Sequence, residues 1–164
     1  MIPPNRAYQA SYHAYVAELG DEVRYPFTMD LPCEDFDGLL HRLTEIEQGI
    51  ALPPGHVSSS TWWLVDGGEL IGVSNLRHVL NERIRHIGGH VGLGIRPSRR
   101  GRGLGTLLLR HTLALAAARG LNDMHIHCYA DNRASARMIM ANGGVLASTV
   151  QLEERVVERY RIAS

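Results

Sequence analysis

The sequence predicts an α/β fold with a mixed sheet. Three observations carry that expectation. Helical and strand-type hydrophobic periods alternate along the chain in the order α-α-β-β-β-α-β-α-β-β. A glycine-rich loop leads from a strand straight into the most apolar helix. The 164 residues, 45% hydrophobic and 21% charged, fit a single domain over residues 1–164, with no internal repeat, low-complexity tract or linker.

Each element has its own signal. Residues 5–19 read as a helix closed by Gly20, and Pro26 and Pro32 mark an irregular connection. In residues 34–48, Phe36, Leu39, Leu40, Leu43 and Ile46 recur at helical spacing and Gly49 follows. The run LPPGHVSSS, 52–60, is a loop by its Pro, Gly and Ser content. Two strands, 62–65 and 69–76, flank the hairpin signal Asp66-Gly67-Gly68. Residues 77–87 read as either a loop or a short helical turn. Residues 88–95 form a strand that Pro97 stops. Residues 103–119 form the clearest helix, with Leu104, Leu107, Leu108, Ala114, Leu115 and Ala118 assigned to its apolar face. A strand at 124–129 precedes a helix at 132–142, with Asp131 the expected N-cap and Gly143-Gly144 the end. Strands 145–151 and 156–162 pair antiparallel.

Composition excludes several classes. The longest apolar run, 113–118, is far short of the roughly 20 residues of a membrane span. No apolar leader opens the chain, and a cytoplasmic protein is expected. Cys33 and Cys128 form neither a disulfide framework nor a zinc spacing. His125-x-His127 puts two rings on one strand face, but with no carboxylate or Cys beside them no metal is expected. Cys128 and His111 read as interior residues. One of Trp62 and Trp63 reads as core and the other as a pocket or interface residue.

Formal net charge is zero, yet residues 1–76 hold 3 Arg and 11 acids while residues 77–137 hold 11 Arg and 3 acids. All 17 basic residues are Arg. The guanidinium fork suits phosphate, and the basic centre contains GLGIRPSRRGRGLGT, 92–106. There glycines at 101, 103 and 105 lead into a helix N-terminus, whose unpaired N–H groups and dipole attract an anion. Without any Lys it is not a P-loop, and GxGxxG is not matched. Nucleic-acid binding through RPSRRGRG lacks stacking aromatics, since none lies between 64 and 128.

Arg100-x-x-Gly103-x-Gly105 resembles the acetyl-CoA signature of the GNAT superfamily of N-acetyltransferases. From residue 34 onward the segments LPPGHVSSSTWWLVDGGELIG, LRHVLNERIRHIGGHVGLGIRPSRRGRG and DNRASARMIMANGGVL are similar to a subgroup known only as predicted acetyltransferases. The resemblance implies a mostly antiparallel GNAT-type sheet whose parallel strands near 90–96 and 124–129 splay apart. The pantetheine arm of acetyl-CoA would pair with the backbone of Leu93, Gly94 and Ile95. Arg100, Gly101, Arg102, Gly103, Leu104, Gly105 and Thr106 would hold the pyrophosphate, and Asn132 the pantetheine. Gly92 and Gly94 suggest a bulge that frees backbone groups. Backbone N–H near Gly94 or Ile95 is the candidate oxyanion donor.

The family's usual acid, a Tyr seven residues after the helix Asn, is replaced here by Ile139. Ser135 is then a candidate acid or pantetheine contact, or an early-helix Ser bonded to backbone. Tyr129 is the second candidate acid. Glu82 and His90 are candidate bases, against a salt bridge for the first and a satisfied sheet residue for the second; a water relay is a third route. The implied activity is acetyl transfer to a primary amine, of a small molecule or a peptide, in a ternary complex. The alternative is a non-catalytic acyl-CoA-binding module. The acidic residues of 1–76 would face a cationic acceptor, and Leu109 and Leu113 are candidates for a homodimer contact.

Overall fold

Capping chemistry sets the helix limits. In the computed structural model, which describes residues 1–163, Asn5 accepts the Ala7 N–H and forms a tight turn at Arg6–Tyr8. The first helix therefore splits, and α1 runs Gln9–Leu19. Helix α2 (Phe36–Gln48) starts where the Asp35 carboxylate accepts the Gly38 N–H, and ends at Gly49 in the left-handed conformation. The ambiguous stretch contains α3 (Glu82–His86), capped by the Asn81 side chain on the Ile84 N–H.

β1 (Ser59–Asp66) and β2 (Glu69–Arg77) form the expected hairpin, and β3 (Val91–Ile95) pairs antiparallel on the other side of β2. After α4 (Leu104–Ala118), a second antiparallel sheet places β6 (Arg155–Ala163) between β4 (Asp123–Tyr129) and β5 (Val145–Leu152). Helix α5 (Arg133–Met140) takes Asn132, not Asp131, as its N-cap; Asp131 instead pairs with Arg155.

The two sheets are joined by hydrogen bonds at the turn before β3. Gly88 and Gly89, both at positive φ, turn the chain so that His90 N–H donates to His125 O at 2.7 Å. No ladder joins β3 to β4, in keeping with the expected splay. The single bridge, Gly89 opposite Ile126, has the antiparallel pattern, and β3 begins only at Val91. Beyond this junction β3 and β4 share no ladder, and the gap between them becomes the cavity described below.

One core cluster gathers Trp63, Tyr12 and Phe36 between α1, α2 and the first sheet; Trp63 is fully buried and Trp62 only partly. A second packs Leu76, Val91, Leu109, Met124, Ile126 and Tyr160 across both sheets and α4. The buried face of α4 is Leu108, Leu109, Thr112 and Ala116. Leu107, Ala114 and His111 are exposed, a rotation from the expected face. Thr112 explains it. Its hydroxyl is satisfied by Leu108 O and Ser74, so a polar residue occupies the core. Leu109 is therefore core, which removes it from the suggested dimer contact, while Leu113 is half-buried against the same cluster.

The charge asymmetry is largely paired within the molecule. Buried Arg96 binds Glu18 at 2.6 Å and Glu69 at 2.8 Å. Arg99 also takes Glu69, Arg100 takes Glu22, and Arg119 takes Glu47. The Arg96 hydrogen bond holds the Glu18 carboxyl down to about 2, below its ordinary 4.5. A depressed folded-state pKa contributes stability that is complete above about pH 4.5 and lost as pH falls toward 2. Denaturant unfolding should thus lose stability across that window more gently in Glu18→Gln than in the wild type.

Candidate active site

A cavity of about 670 Å³ opens in the gap between β3 and β4 and extends under the loop that joins α1 to α2. Its donor-side wall is fixed by ladder alternation. Arg77 N–H donates to His90 O and Arg96 N–H to Ile71 O, so the His90 carbonyl and the backbone groups of residues 92, 94 and 96 face β2. Val91, Leu93 and Ile95 then turn their N–H and C=O groups to the free edge. Of the anticipated backbone contacts, Leu93 and Ile95 thus have outward N–H groups, while Gly94 N–H faces β2. Leu93 lines the cavity directly.

Gly92 and Gly94 serve a purpose other than a bulge, since the β2–β3 register runs without a shift. A Cβ on Gly94 would collide with the Tyr25 carbonyl, and one on Gly92 would lie 3.1 Å from Pro26. The missing side chains let the Tyr25–Pro26 segment lie across β3 and roof the cavity.

Past Ile95 the chain makes a short 3-10 turn, Pro97–Arg99, then the loop into α4. Gly101 and Gly103 both adopt φ +74, and Gly103 caps α4 without a side chain. The first-turn N–H groups of Leu104, Gly105 and Thr106 are thereby left for an external anion. Gly105 lets α4 approach α5, where a Cβ would stand 3.2 Å from Met138 Sδ. Arg100 is committed to Glu22 and to the Ile95 carbonyl, but Arg102 makes no ion pair among the described residues.

Asn132, Ser135 and Tyr129 all line the cavity. Asn132 Oδ1 accepts the Ser135 backbone N–H at 3.1 Å, so its role as a cap is established and its amide N–H₂ is left over. The Ser135 hydroxyl makes no hydrogen bond among the described residues. Ile139 is 1% exposed and holds the core at the position where the resemblance expects Tyr. Arg155 stacks 3.4 Å over the Tyr129 ring, and Tyr25 lines the same cavity. Burial, then Tyr129, pushes the Tyr25 hydroxyl up.

The candidate bases are not brought to this wall. Glu82 lies exposed in the first turn of α3 and makes no ion pair among the described residues. His90 is buried, and its Nδ1 accepts the His125 N–H at 2.9 Å. Burial, then His125, pulls His90 down to about 4. Neither is among the lining residues. Cys128 does line the cavity, its thiol raised by burial to about 11. Among the described residues no group of His, Cys and carboxylate side chains could hold a metal, and no helix is long and apolar enough to cross a membrane.

Residues not anticipated complete the far chamber. Tyr25, His127 and Arg77 line it, as do Arg24 and Arg42 from the N-terminal region. That region does supply the chamber, but only one of its acids, Asp30, reaches it. The cavity lining thus holds more arginines than carboxylates, because the other acids of 1–76 pair with arginines or face solvent. Arg77 had one sequence signal: a charged residue ending a strand whose middle, Leu70 to Val73, is apolar.

A splayed strand edge running into a glycine-capped helix start defines a binding fold for an extended ligand with an anionic end. The acetyltransferase (GNAT) family model matches residues 26–143, and the chain belongs to that family. It is therefore an acetyltransferase with acetyl-CoA as donor, and the free β3 edge and glycine loop suit that donor's arm and pyrophosphate. No curated protein matches the chain.

Solved structures share the fold. A spermidine N-acetyltransferase chimera from Vibrio cholerae and hSSAT is 18% identical, with TM-score 0.65 over 99% of this chain and 95% of that one. A Salmonella typhimurium acetyl transferase that modifies the N-terminal serine of ribosomal protein L7/L12 is 16% identical, with TM-score 0.69 over 98% and 91%. The protein yncA from Salmonella typhimurium, with its cofactor acetyl-CoA, is 15% identical, with TM-score 0.65 over 99% and 92%.

Proposed function

We propose that the chain, working as one cytoplasmic domain over residues 1–164, moves the acetyl group of acetyl-CoA directly to a primary amine in a ternary complex. The observation that carries this reading is the free edge of β3, which opens on a cavity large enough to hold both an acyl-donor arm and an amine. Two structural relatives bear names of amine acetylators, of spermidine and of a protein N-terminal serine.

In the step, the amine nitrogen attacks the thioester carbonyl carbon. The C–N bond forms, the C–S bond breaks, the amine loses a proton and the thiolate gains one. Outward N–H groups of Leu93 and Ile95 stabilise the oxyanion. Gly101 to Thr106, with Arg102, hold the pyrophosphate, and the Asn132 amide contacts the pantetheine. Tyr129, backed by Tyr25, returns the proton to the thiolate, with Ser135 the second donor. The net positive charge of the far chamber lowers an ammonium's pKa, so an amine arrives neutral without a dedicated base. Glu82 and His90 act outside this step.

Calorimetry with acetyl-CoA, followed by thiol release against an amine panel, tests the reading. Binding together with acetylation of at least one amine is expected. Binding with no turnover would leave only the acyl-CoA-binding role. Tyr129→Phe should lower kcat roughly 100-fold with acetyl-CoA affinity unchanged; an unchanged kcat would pass the role to Ser135.

A further inference from the structure

The far chamber is lined by two donor side chains, Arg77 and His127, that meet no carboxylate among the described residues. Arg77 donates through Nη1 to the Gly89 carbonyl at 2.8 Å and weakly to the Gly88 carbonyl at 3.4 Å. No carboxylate reaches it: it makes no ion pair among the described residues, and burial alone pulls its pKa below the ordinary arginine value. A half-buried cation without a counter-ion is costly unless a ligand supplies one.

His127 adjoins it through the same turn. Its Nδ1 accepts the Gly88 N–H at 3.0 Å, and burial, then His125, pulls the ring down to about 4. The ring is therefore neutral near pH 7, with its proton on Nε2. That Nε2–H is buried and has no hydrogen-bond partner. With Nδ1 occupied, His127 cannot take a proton from an amine. It can only donate.

These donors do not belong to the donor nucleotide. They lie at the N-terminal end of β3, whereas the glycine loop follows its C-terminal end, about 17 Å away along five residues of strand. One guanidinium fork and one neutral N–H match a monoanion. Arg24 adds a second unpaired cation to the lining, against the single carboxylate of Asp30. Phe27, Leu31, Ile46 and Ile87 make the remaining wall apolar.

We propose that the acceptor is an amine that carries its own carboxylate, a free amino acid with an apolar side chain, whose carboxylate is held by Arg77 and the His127 Nε2–H while its amine faces the outward edge of β3. This rests on the acetyl-transfer reading and specifies its substrate. It also turns the chamber's excess of arginines into a selection rule, because a polycation such as spermidine would meet like charge.

The test compares leucine, phenylalanine and methionine with their carboxamides, and with spermidine, by thiol release and mass detection on the wild-type protein. The acids should exceed their amides roughly 100-fold in kcat/KM, because each amide leaves the buried cation unpaired. Arg77→Met should raise KM for the acids with little change for the amides, and His127→Phe should do the same more weakly. Equal rates for acids and amides, or spermidine as the better substrate, would overturn the proposal while leaving acetyl transfer intact. If no amine turns over, N-acetylleucine and its amide are titrated by calorimetry into the protein saturated with CoA. Binding of the acid alone, lost in Arg77→Met, supports the anion site although transfer has failed. Binding of neither, or of both alike, overturns it.

Discussion

Replacing Gly89 with alanine is expected to lower the melting temperature by roughly 10 °C. Gly89 adopts φ +66, where a side chain costs about 1–2 kcal/mol. Its Cβ would also be driven into the His125 carbonyl and lie 3.3 Å from the His127 ring. The obstacle is backbone and cannot rotate away, and relief of such overpacking costs roughly 1–3 kcal/mol more. The site matters because it is the hydrogen-bonded junction between the sheets among the described residues. His90 N–H to His125 O, His125 N–H to His90 Nδ1 and Gly88 N–H to His127 Nδ1 all cross it. Gly120→Ala is the matched control: its φ is +78, but nothing lies within 4 Å of its Cβ. Strain alone should cost that variant about 3 °C. If the two variants melt together, the junction does not hold the sheets.

The same junction marks the limit of what the sequence discloses. The hairpin at Asp66–Gly68, helix α2 and the strand–loop–helix at 92–106 were legible because each is set by residues close in sequence, through turn chemistry, capping and apolar period. The cavity's polar groups are joined over long separations. Gly88 meets His127 across 39 residues and Arg96 meets Glu18 across 78. No local pattern announces such pairs. The charge count therefore pointed the acids of 1–76 at a ligand, when Glu18, Glu22 and Glu69 were meant for the arginines around the loop. Gly92 and Gly94 misled in a related way. Their spacing resembles a bulge, but the reason for it is the Tyr25 carbonyl lying on the strand, a partner some 70 positions distant. Asn132 and Ser135 were found through resemblance, and Ile139 was recognised as a departure from it. Tyr25 and Tyr129 share the cavity wall although 104 positions separate them, which no local pattern announces.

A valine at Gly103 is expected to weaken acetyl-CoA binding about 100-fold, close to 2.7 kcal/mol. Gly103 holds φ +74 at the start of α4, and nothing lies within 4 Å of its Cβ. The substitution therefore meets no wall in the folded protein. Its first effect is conformational: a β-branched residue avoids positive φ, so the turn rotates and the N–H groups of Leu104 to Thr106 no longer converge. Its second is steric, because the branched side chain stands where a phosphate oxygen would approach the helix start. Gly120→Val separates these from general strain. It imposes a similar φ conflict at +78 just past the C-terminal end of α4, where the helix presents carbonyls and no anion site. Both variants should melt a few degrees below the wild type, and calorimetry should find acetyl-CoA affinity reduced only in Gly103→Val. Equal affinities would mean that the pyrophosphate is held elsewhere. The unpaired guanidinium of Arg102 would then be the place to look, since Arg96, Arg99 and Arg100 are already neutralised by Glu18, Glu69 and Glu22.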